Sequence, residues 1–246
     1  MKYVILGGVA AGTKAAAKLK RLDRQAEVVI YTKSTDISYA GCGLPYYIGG
    51  DIATRDELIV NSPEKYAGLT GAKVQTGCEA VGIDSSAKQV SIRRADGSSF
   101  AENYDKLIIA TGAAPFVPPV EGVGLAGAFC VRTPDDAVAI RAYAETNNCR
   151  RAVVCGAGFI GLEVAENLAA MKMDVTVIDA APQIMPNAFD ADMAGYAKRQ
   201  LKAAGMRVLT SVSLKGIHGG DRVERVSTDA GTLQADMVIL AIGVRP

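Results

Sequence analysis

Apolar positions in this chain fall into short unbroken runs, two of them stopping at a glycine-rich turn, separated by longer stretches that read as helical. Tyr3 to Leu6 is such a run and leads straight into Gly7-Gly8-Val9-Ala10-Ala11-Gly12. A helical stretch follows over Ala15–Leu22, then a second apolar run over Val28–Tyr31. Short apolar runs bounded by turn residues predict buried strands. The order strand, glycine turn, helix, strand implies parallel pairing, because the helix carries the chain back to start the next strand. The same order returns as Ala152–Cys155, Gly156-Ala157-Gly158-Phe159-Ile160-Gly161, a helix through about Met171 and a strand over Val175–Ile178. A second echo pairs Asp105-Lys-Leu-Ile-Ile-Ala-Thr111-Gly112 with Asp236-Met-Val-Ile-Leu-Ala-Ile-Gly243. The copies are offset by 149 residues at the loops, from Gly7 to Gly156, and by 131 at the closing strands, from Asp105 to Asp236.

The sequence therefore predicts an α/β chain of two Rossmann-like units. Between them, Ala113–Gly127 carries Pro115, Pro118 and Pro119 and reads as a crossover between domains. Short alternating strands around Val81–Arg93 and Val208–Thr232, broken by Asp96-Gly97 and Gly219-Gly220-Asp221, read as antiparallel inserts. The chain ends on Val-Arg-Pro246 directly after a closing strand, an abrupt stop that suggests a fragment.

Composition narrows the function classes. With 246 residues, 49% hydrophobic and 22% charged, the chain has the make-up of a soluble globular protein with a real core. The balance of 27 basic against 26 acidic residues gives no reason to expect a nucleic-acid or anionic-membrane partner. No apolar run approaches a membrane span, and the N-terminus lacks a signal-peptide pattern. Five widely spaced cysteines without any C-x-x-C argue against a disulfide framework and against structural zinc, and favour a reducing, cytoplasmic setting. Cys78, Cys130, Cys149 and Cys155 have no partner motif and are expected to be packing residues.

The second glycine loop is the stronger motif. Gly156, Gly158 and Gly161 complete G-x-G-x-x-G between a strand and a helix, and Asp179 ends the next strand 23 residues after Gly156. The first glycine permits the tight turn, the second the approach of a pyrophosphate, and the third close packing of helix on strand. The phosphates would lie on the helix N-terminus. Asp179 is placed to bond the adenosine ribose hydroxyls and to repel a 2′-phosphate, which favours NADH over NADPH. Glu163 faces either the nicotinamide region or solvent. In the first loop Val9 stands at the second glycine position, and Tyr31-Thr32-Lys33 supplies no acid at the end of its second strand.

Ser38-Tyr-Ala-Gly-Cys42-Gly-Leu-Pro-Tyr-Tyr-Ile-Gly-Gly50 sets one cysteine between two glycines ahead of a short helix. Pro45 suits a first turn and Gly49-Gly50 a helix end. A thiolate at a helix N-terminus is stabilised by unpaired backbone N–H groups, so Cys42 reads as a redox sulfur, with plain packing as the alternative.

Taken together, Gly7–Gly12, the Cys42 segment, Ala110-Thr111-Gly112, Gly156–Gly161 and Ala241-Ile242-Gly243 resemble the flavoprotein pyridine nucleotide-disulfide oxidoreductases. The likeness is greatest to their single-cysteine branch of coenzyme A-disulfide reductases, NADH oxidases and peroxidases, and polysulfide reductases. It implies a glutathione-reductase-type fold with an FAD domain over 1–113 and an NAD(P)H domain over 114–243, the second inserted in the first. It also implies FAD contacts from Gly7, Gly8, Val9, Ala10, Ala11, Gly12, Thr32, Lys33, Ala80, Val81, Thr111, Gly112 and Gly243. NADH contacts would come from Gly156, Gly158, Phe159, Ile160, Gly161, Glu163 and Asp179. Family members run on past the position of Pro246 into the rest of the FAD domain and a dimerisation domain, so the full-length form is expected to be a homodimer.

Tyr47 stands where two-cysteine members carry their second cysteine, so the resemblance leaves Cys42 to work alone, through a sulfenate, a persulfide or a mixed disulfide. Ala10 replaces the histidine that oxidases and peroxidases place in the first loop; the single histidine, His218, lies in the second unit and is expected at the surface. Ser38-Tyr39-Ala40-Gly41 keeps the serine but not the asparagine of the coenzyme A-disulfide reductases' Ser-Phe-x-Asn. Lys14, Lys18 and Arg21, at i, i+4 and i+7, form a basic stripe that by resemblance faces coenzyme A phosphates and otherwise is solvated surface. The implied activity is flavin-dependent reduction of a small disulfide or polysulfide by NADH. An oxidase or peroxidase, or an NADH-binding fragment, are the alternatives.

Overall fold

The computed structural model describes residues 1–246. In chain order the elements are β1 (Lys2–Leu6), α1 (Ala10–Leu22), β2 (Glu27–Tyr31), a 3-10 turn (Gly41–Gly43), α2 (Leu44–Gly49), a second 3-10 turn (Arg55–Leu58), α3 (Pro63–Thr70), β3 (Lys73–Gln75), β4 (Cys78–Asp84), β5 (Gln89–Arg94), β6 (Ser99–Asn103), β7 (Lys106–Ile109) and β8 (Ala114–Pro115). They continue with β9 (Ala128–Cys130), α4 (Pro134–Thr146), β10 (Arg151–Cys155), α5 (Phe159–Ala170), β11 (Asp174–Asp179), α6 (Ala191–Ala203), β12 (Arg207–Thr210), β13 (Leu214–His218), β14 (Arg225–Thr228), β15 (Gly231–Gln234), β16 (Met237–Leu240) and β17 (Val244–Arg245). The chain is α/β and forms two compact units. One holds Met1–Ala40, Ile59–Ala113 and Pro246, the other Gly41–Leu58 and Ala114–Arg245.

In the first unit the parallel sheet runs β3-β2-β1-β7. Its central strands are apolar on both faces, as strands covered on both sides must be. Ile5 and Ile30 are fully buried with Ala16 and Tyr66 on one face; Val4 and Val29 pack with Val90 and Ile92 on the other. The antiparallel meander β4-β5-β6 supplies that second cover. Small residues Gly12, Thr13 and Ala16 are the buried face of α1, which lets the helix lie close to the sheet.

In the second unit the parallel sheet runs β12-β11-β10-β16-β9. Residues of α4, α5 and α6 share one core with its strands, and the meander β13-β14-β15 belongs to a second cluster with Val153, Cys155 and Val238. The two sheets repeat each other down to single bonds. Gly7 and Gly156 each donate to the last or penultimate residue of the neighbouring strand, Tyr31 and Ile178, at 2.8 Å. Asp105 accepts from the Lys2 N–H at 2.6 Å, and Asp236 accepts from the Arg151 N–H at 2.9 Å.

Three sequence expectations change. Helix α1 begins at Ala10 rather than Ala15, because the second half of the glycine loop is itself its first turn. Val208 lies in β12 of the parallel sheet, and the antiparallel insert starts only at Leu214. The segment 41–58, expected with the first domain, packs with the second unit. Leu44 and Ile48 are the reason: they are buried in the core that holds Ile140, Val164 and Leu168. No helix is long and apolar enough to cross a membrane.

Candidate nucleotide and thiol sites

Each glycine loop is shaped by contacts that exclude a side chain. Gly7 and Gly156 adopt φ of 108° and 109°. A Cβ there would lie 2.1 Å from the Ala110 carbonyl oxygen and 2.3 Å from that of Ala241, respectively. The third glycines, Gly12 and Gly161, would each put a Cβ 1.9 Å from the carbonyl oxygen of the first glycine of their own loop. Beyond each loop the helix starts without a side-chain cap and with no acid in its first turn. The free N–H groups of α1 and α5 thus face outward at a positive helix end, which suits a phosphate.

The loops differ at the second position. Around Gly158 no atom lies within 4 Å of an added Cβ, so the backbone is open to a ligand. Gly158 lines a cavity of about 490 Å³ with Gly156, Asp179, Gly243, Pro118 and Ser213. Asp179 is half-buried and does more than await a ribose: its carboxylate accepts from the Ala157 N–H at 2.6 Å and the Ala181 N–H at 2.8 Å, tying the strand end to the loop. Phe159 and Ile160, at the start of α5, are 63% and 44% exposed, a large apolar surface beside the loop. Glu163 is half-buried, and its carbonyl accepts from Asn167 Nδ2 at 2.8 Å. Pro118, which the sequence marks only as part of the crossover, and Ser213, which lies in no motif, also line the cavity.

In the first unit Val9 fills the second position, and the turn is packed: a Cβ on Gly8 would meet Ile37 at 2.8 Å and Thr32 at 3.1 Å. Thr32 is buried, and its carbonyl accepts from the Cys78 N–H, so Ala80 and Val81 follow on β4 from the end of β2. Val81 is half exposed. Lys33, expected beside a cofactor, is bonded to Glu79 at 3.0 Å. Glu79 also takes Arg93 at 2.6 Å, and these two cations hold its carboxyl below the ordinary range. Thr111 and Gly112 are exposed after β7, where the Thr111 N would be 3.2 Å from a Cβ on Gly7. Ala10 and Ala11 are exposed on the first turn of α1.

Ser38 adopts φ of 50°, its N–H bonds Gly8 O at 2.9 Å, and its hydroxyl accepts from Asn61 Nδ2 at 3.3 Å. The asparagine partner comes from a loop 23 residues on, which no local pattern announces. Lys14, Lys18 and Arg21 are exposed on α1 and make no ion pair.

All five cysteines are free. Cys42 is exposed in the 3-10 turn directly before α2, whose N-cap Gly43 offers no side-chain bond and whose C-cap Gly50 sits at φ 94°. Burial raises the thiols of Cys78, Cys130 and Cys149, and pushes that of Cys155 up to about 12. Cys78 and Cys155 are buried, and Cys130 and Cys149 half-buried. His218 is half-buried on β13, with Nε2 2.8 Å from Ser227 Oγ.

Comparison with known proteins places this geometry. The chain is 40% identical over its full length to an NADH oxidase of Methanocaldococcus jannaschii, covering 55% of that protein. It is 37% identical, again over its full length, to the NAD(P)H coenzyme A polysulfide/persulfide reductase of Pyrococcus horikoshii, covering 54% of it. A solved NAD-dependent persulfide reductase from A. fulgidus superposes with a TM-score of 0.96 at 37% identity, over all of this chain and 46% of that one. The chain thus spans about half the length of the relatives it matches. Residues 1–246 match throughout to the pyridine nucleotide-disulphide oxidoreductases, and the chain belongs to that family, whose members use FAD and NAD(P)H.

Proposed function

We propose that this chain carries the nucleotide sites and the reactive thiol of a flavin-dependent NADH oxidoreductase that reduces a small disulfide or polysulfide through Cys42. The observation that carries the reading is the contrast among the cysteines: Cys42 alone is exposed, and it precedes a helix, while Cys78 and Cys155 are buried and Cys130 and Cys149 half-buried. The names of the coenzyme A polysulfide/persulfide and persulfide reductases among the relatives point to the same sulfur chemistry.

Residues Gly156–Gly161 and the start of α5 would hold the NADH pyrophosphate, with Asp179 on the adenosine ribose, which sets NADH above NADPH. Gly7–Gly12 and the start of α1 would hold the FAD pyrophosphate. The fit is firmer in the second unit, where Gly158 leaves open space; in the first, Thr32 stands where an acid would bind ribose. FAD, when bound, supplies the passage of two electrons from NADH to sulfur. Cys42 thiolate attacks one sulfur of the disulfide, forming a mixed disulfide and expelling one thiolate. Two electrons and a proton then cleave that bond, returning the Cys42 thiolate and releasing the second thiol. Lys14, Lys18 and Arg21 would meet an anionic substrate such as a coenzyme A disulfide, with Ser38 near the thiol segment. A homodimeric full-length form in a reducing cytoplasm completes the reading.

A second reading, an NADH oxidase, draws on the Methanocaldococcus jannaschii relative. Against it stands Ala10, which offers no acid–base group in the first loop. The test is Cys42→Ser in the flavin-loaded protein. It should keep NADH affinity and NADH-driven reduction of ferricyanide, and lose disulfide turnover. Undiminished disulfide turnover refutes the thiol assignment, and NADH consumption that needs oxygen but no disulfide selects the oxidase.

A further inference from the structure

Helix α2, which begins two residues past Cys42, has six residues, too few to hold a helix in water without tertiary support. Its position is set by what grips it. Leu44, Pro45 and Ile48 are its buried face. Gly49 is the point of closest approach to α5, where a Cβ would lie 2.3 Å from Asn167 Oδ1 and 2.9 Å from Asn167 Cβ. Asn167 is itself buried and locked by its bond to the Glu163 carbonyl.

At the far end of α2, beside the Gly49–Asn167 contact, a side chain from α4 gathers the carbonyls. Arg141 Nη1 donates to the carbonyl oxygens of Tyr47 at 3.3 Å, Ile52 at 3.4 Å and Ala53 at 3.4 Å. Its guanidinium carbon lies 5.1 Å from the centre of the Tyr47 ring, and its Nε bonds Glu145 at 3.1 Å. Carbonyls at a helix C-terminus carry partial negative charge, so a cation there is favourable, and the flat guanidinium serves the ring and the carbonyls together. Glu145 and the N-terminal turn of α4 complete the surroundings: Arg55 pairs with Asp135 at 2.8 Å and ties the second 3-10 turn to the same helix.

We propose that Arg141 is a positioning residue for Cys42: by closing the C-terminal end of α2 it fixes the Gly41–Gly43 turn at the other end, on the same unit as the Gly156–Gly161 loop. The inference rests on the reading of Cys42 as the reacting sulfur. Arg141 touches neither the thiol nor either glycine loop, so its removal should disturb the sulfur step and leave nucleotide binding alone. A shift of about 1 Å in a reacting group is enough to cost on the order of a hundredfold in rate.

The experiment compares Arg141→Ala, Arg141→Lys and Cys42→Ser in the flavin-loaded protein, with whichever of coenzyme A disulfide and polysulfide the unaltered protein reduces. Arg141→Ala should lower kcat for that acceptor about tenfold or more, while KM for NADH and the rate of ferricyanide reduction stay within about twofold. Arg141→Lys keeps the charge but loses the fork and the ring contact, and should fall between the two. It carries the test by itself if the alanine variant does not fold. Sulfur turnover within twofold of the unaltered protein in both Arg141 variants overturns the clamp, as does a fall in sulfur and ferricyanide rates together. If instead Cys42→Ser keeps its turnover, the thiol reading itself fails.

Discussion

Exchanging the first and second glycines of the second loop for alanine separates folding from ligand binding at positions two residues apart. At Gly156, φ of 109° strains any L side chain, and the new Cβ would sit 2.3 Å from the Ala241 carbonyl oxygen. Strained backbone costs of order 1–3 kcal/mol. Overpacking against the backbone just after β16 adds about 1–3 kcal/mol, so Gly156→Ala should lose about 2–6 kcal/mol. For a chain of this size that is a fall of roughly 4–24 °C in the thermal midpoint. At Gly158 the backbone is extended, with φ −85° and ψ −174°, and no atom lies within 4 Å of the added methyl. Stability should therefore hold within about 0.5 kcal/mol. The methyl instead enters the cavity where the pyrophosphate would approach, and NADH affinity should fall about tenfold, equivalent to about 1.4 kcal/mol. Thermal unfolding and titration with NADH, followed by its fluorescence, measure the two effects. Unchanged NADH affinity in Gly158→Ala refutes the loop as the nucleotide cradle; an unchanged midpoint in Gly156→Ala refutes the packing argument.

Asp179→Ala should weaken NADH and narrow its advantage over NADPH in kcat/KM, and also lower the thermal midpoint, because bonds to the Ala157 and Ala181 N–H groups are lost. A bond to a charged group is worth about 1.5–3 kcal/mol, so loss of affinity with no loss of stability would contradict the second role. Asp236→Asn addresses pH dependence. Burial opposes ionisation of Asp236, yet bonds from Arg151 and from the Arg150 and Arg151 N–H groups outweigh it and hold the carboxyl below its ordinary 3.8. A lowered folded-state value adds stability above the unfolded value that disappears as pH falls through the folded one. The variant should thus be less stable near neutrality, with the gap closing below about pH 4 in acid unfolding curves; a gap that persists in acid argues against the charge.

What the sequence made legible were the features set by local chemistry. Short apolar runs marked β1, β2, β10 and β11, the first and third stopping at Gly7 and Gly156, and the Asp105–Gly112 and Asp236–Gly243 echo marked β7 and β16, because a parallel strand covered on both faces leaves little choice of residue. Cys42 ahead of a short helix was equally readable, since Pro45 and Gly50 punctuate α2 at both ends. Long-range partners were not. Arg141 lies 94 residues from Tyr47, and Asn61 lies 23 residues from Ser38; neither has a spacing that reveals the contact. The ion pair of Lys33 was equally hidden, because Glu79 lies 46 residues on and is shared with Arg93 across the β4–β5 hairpin. The start of α1 was missed for a local reason: Ala10 and Ala11 read as loop, though alanine is the best of helix formers.

The central claim is that one sulfur, on Cys42, takes part in the turnover. Its most direct measurement is the intact mass of the flavin-loaded protein after treatment with a small disulfide, followed by peptide mapping and a chase with NADH under anaerobic conditions. The account predicts a single mixed-disulfide adduct on Cys42 that NADH removes with release of one thiol per protein. An adduct on another cysteine, or one on Cys42 that NADH leaves in place, contradicts it.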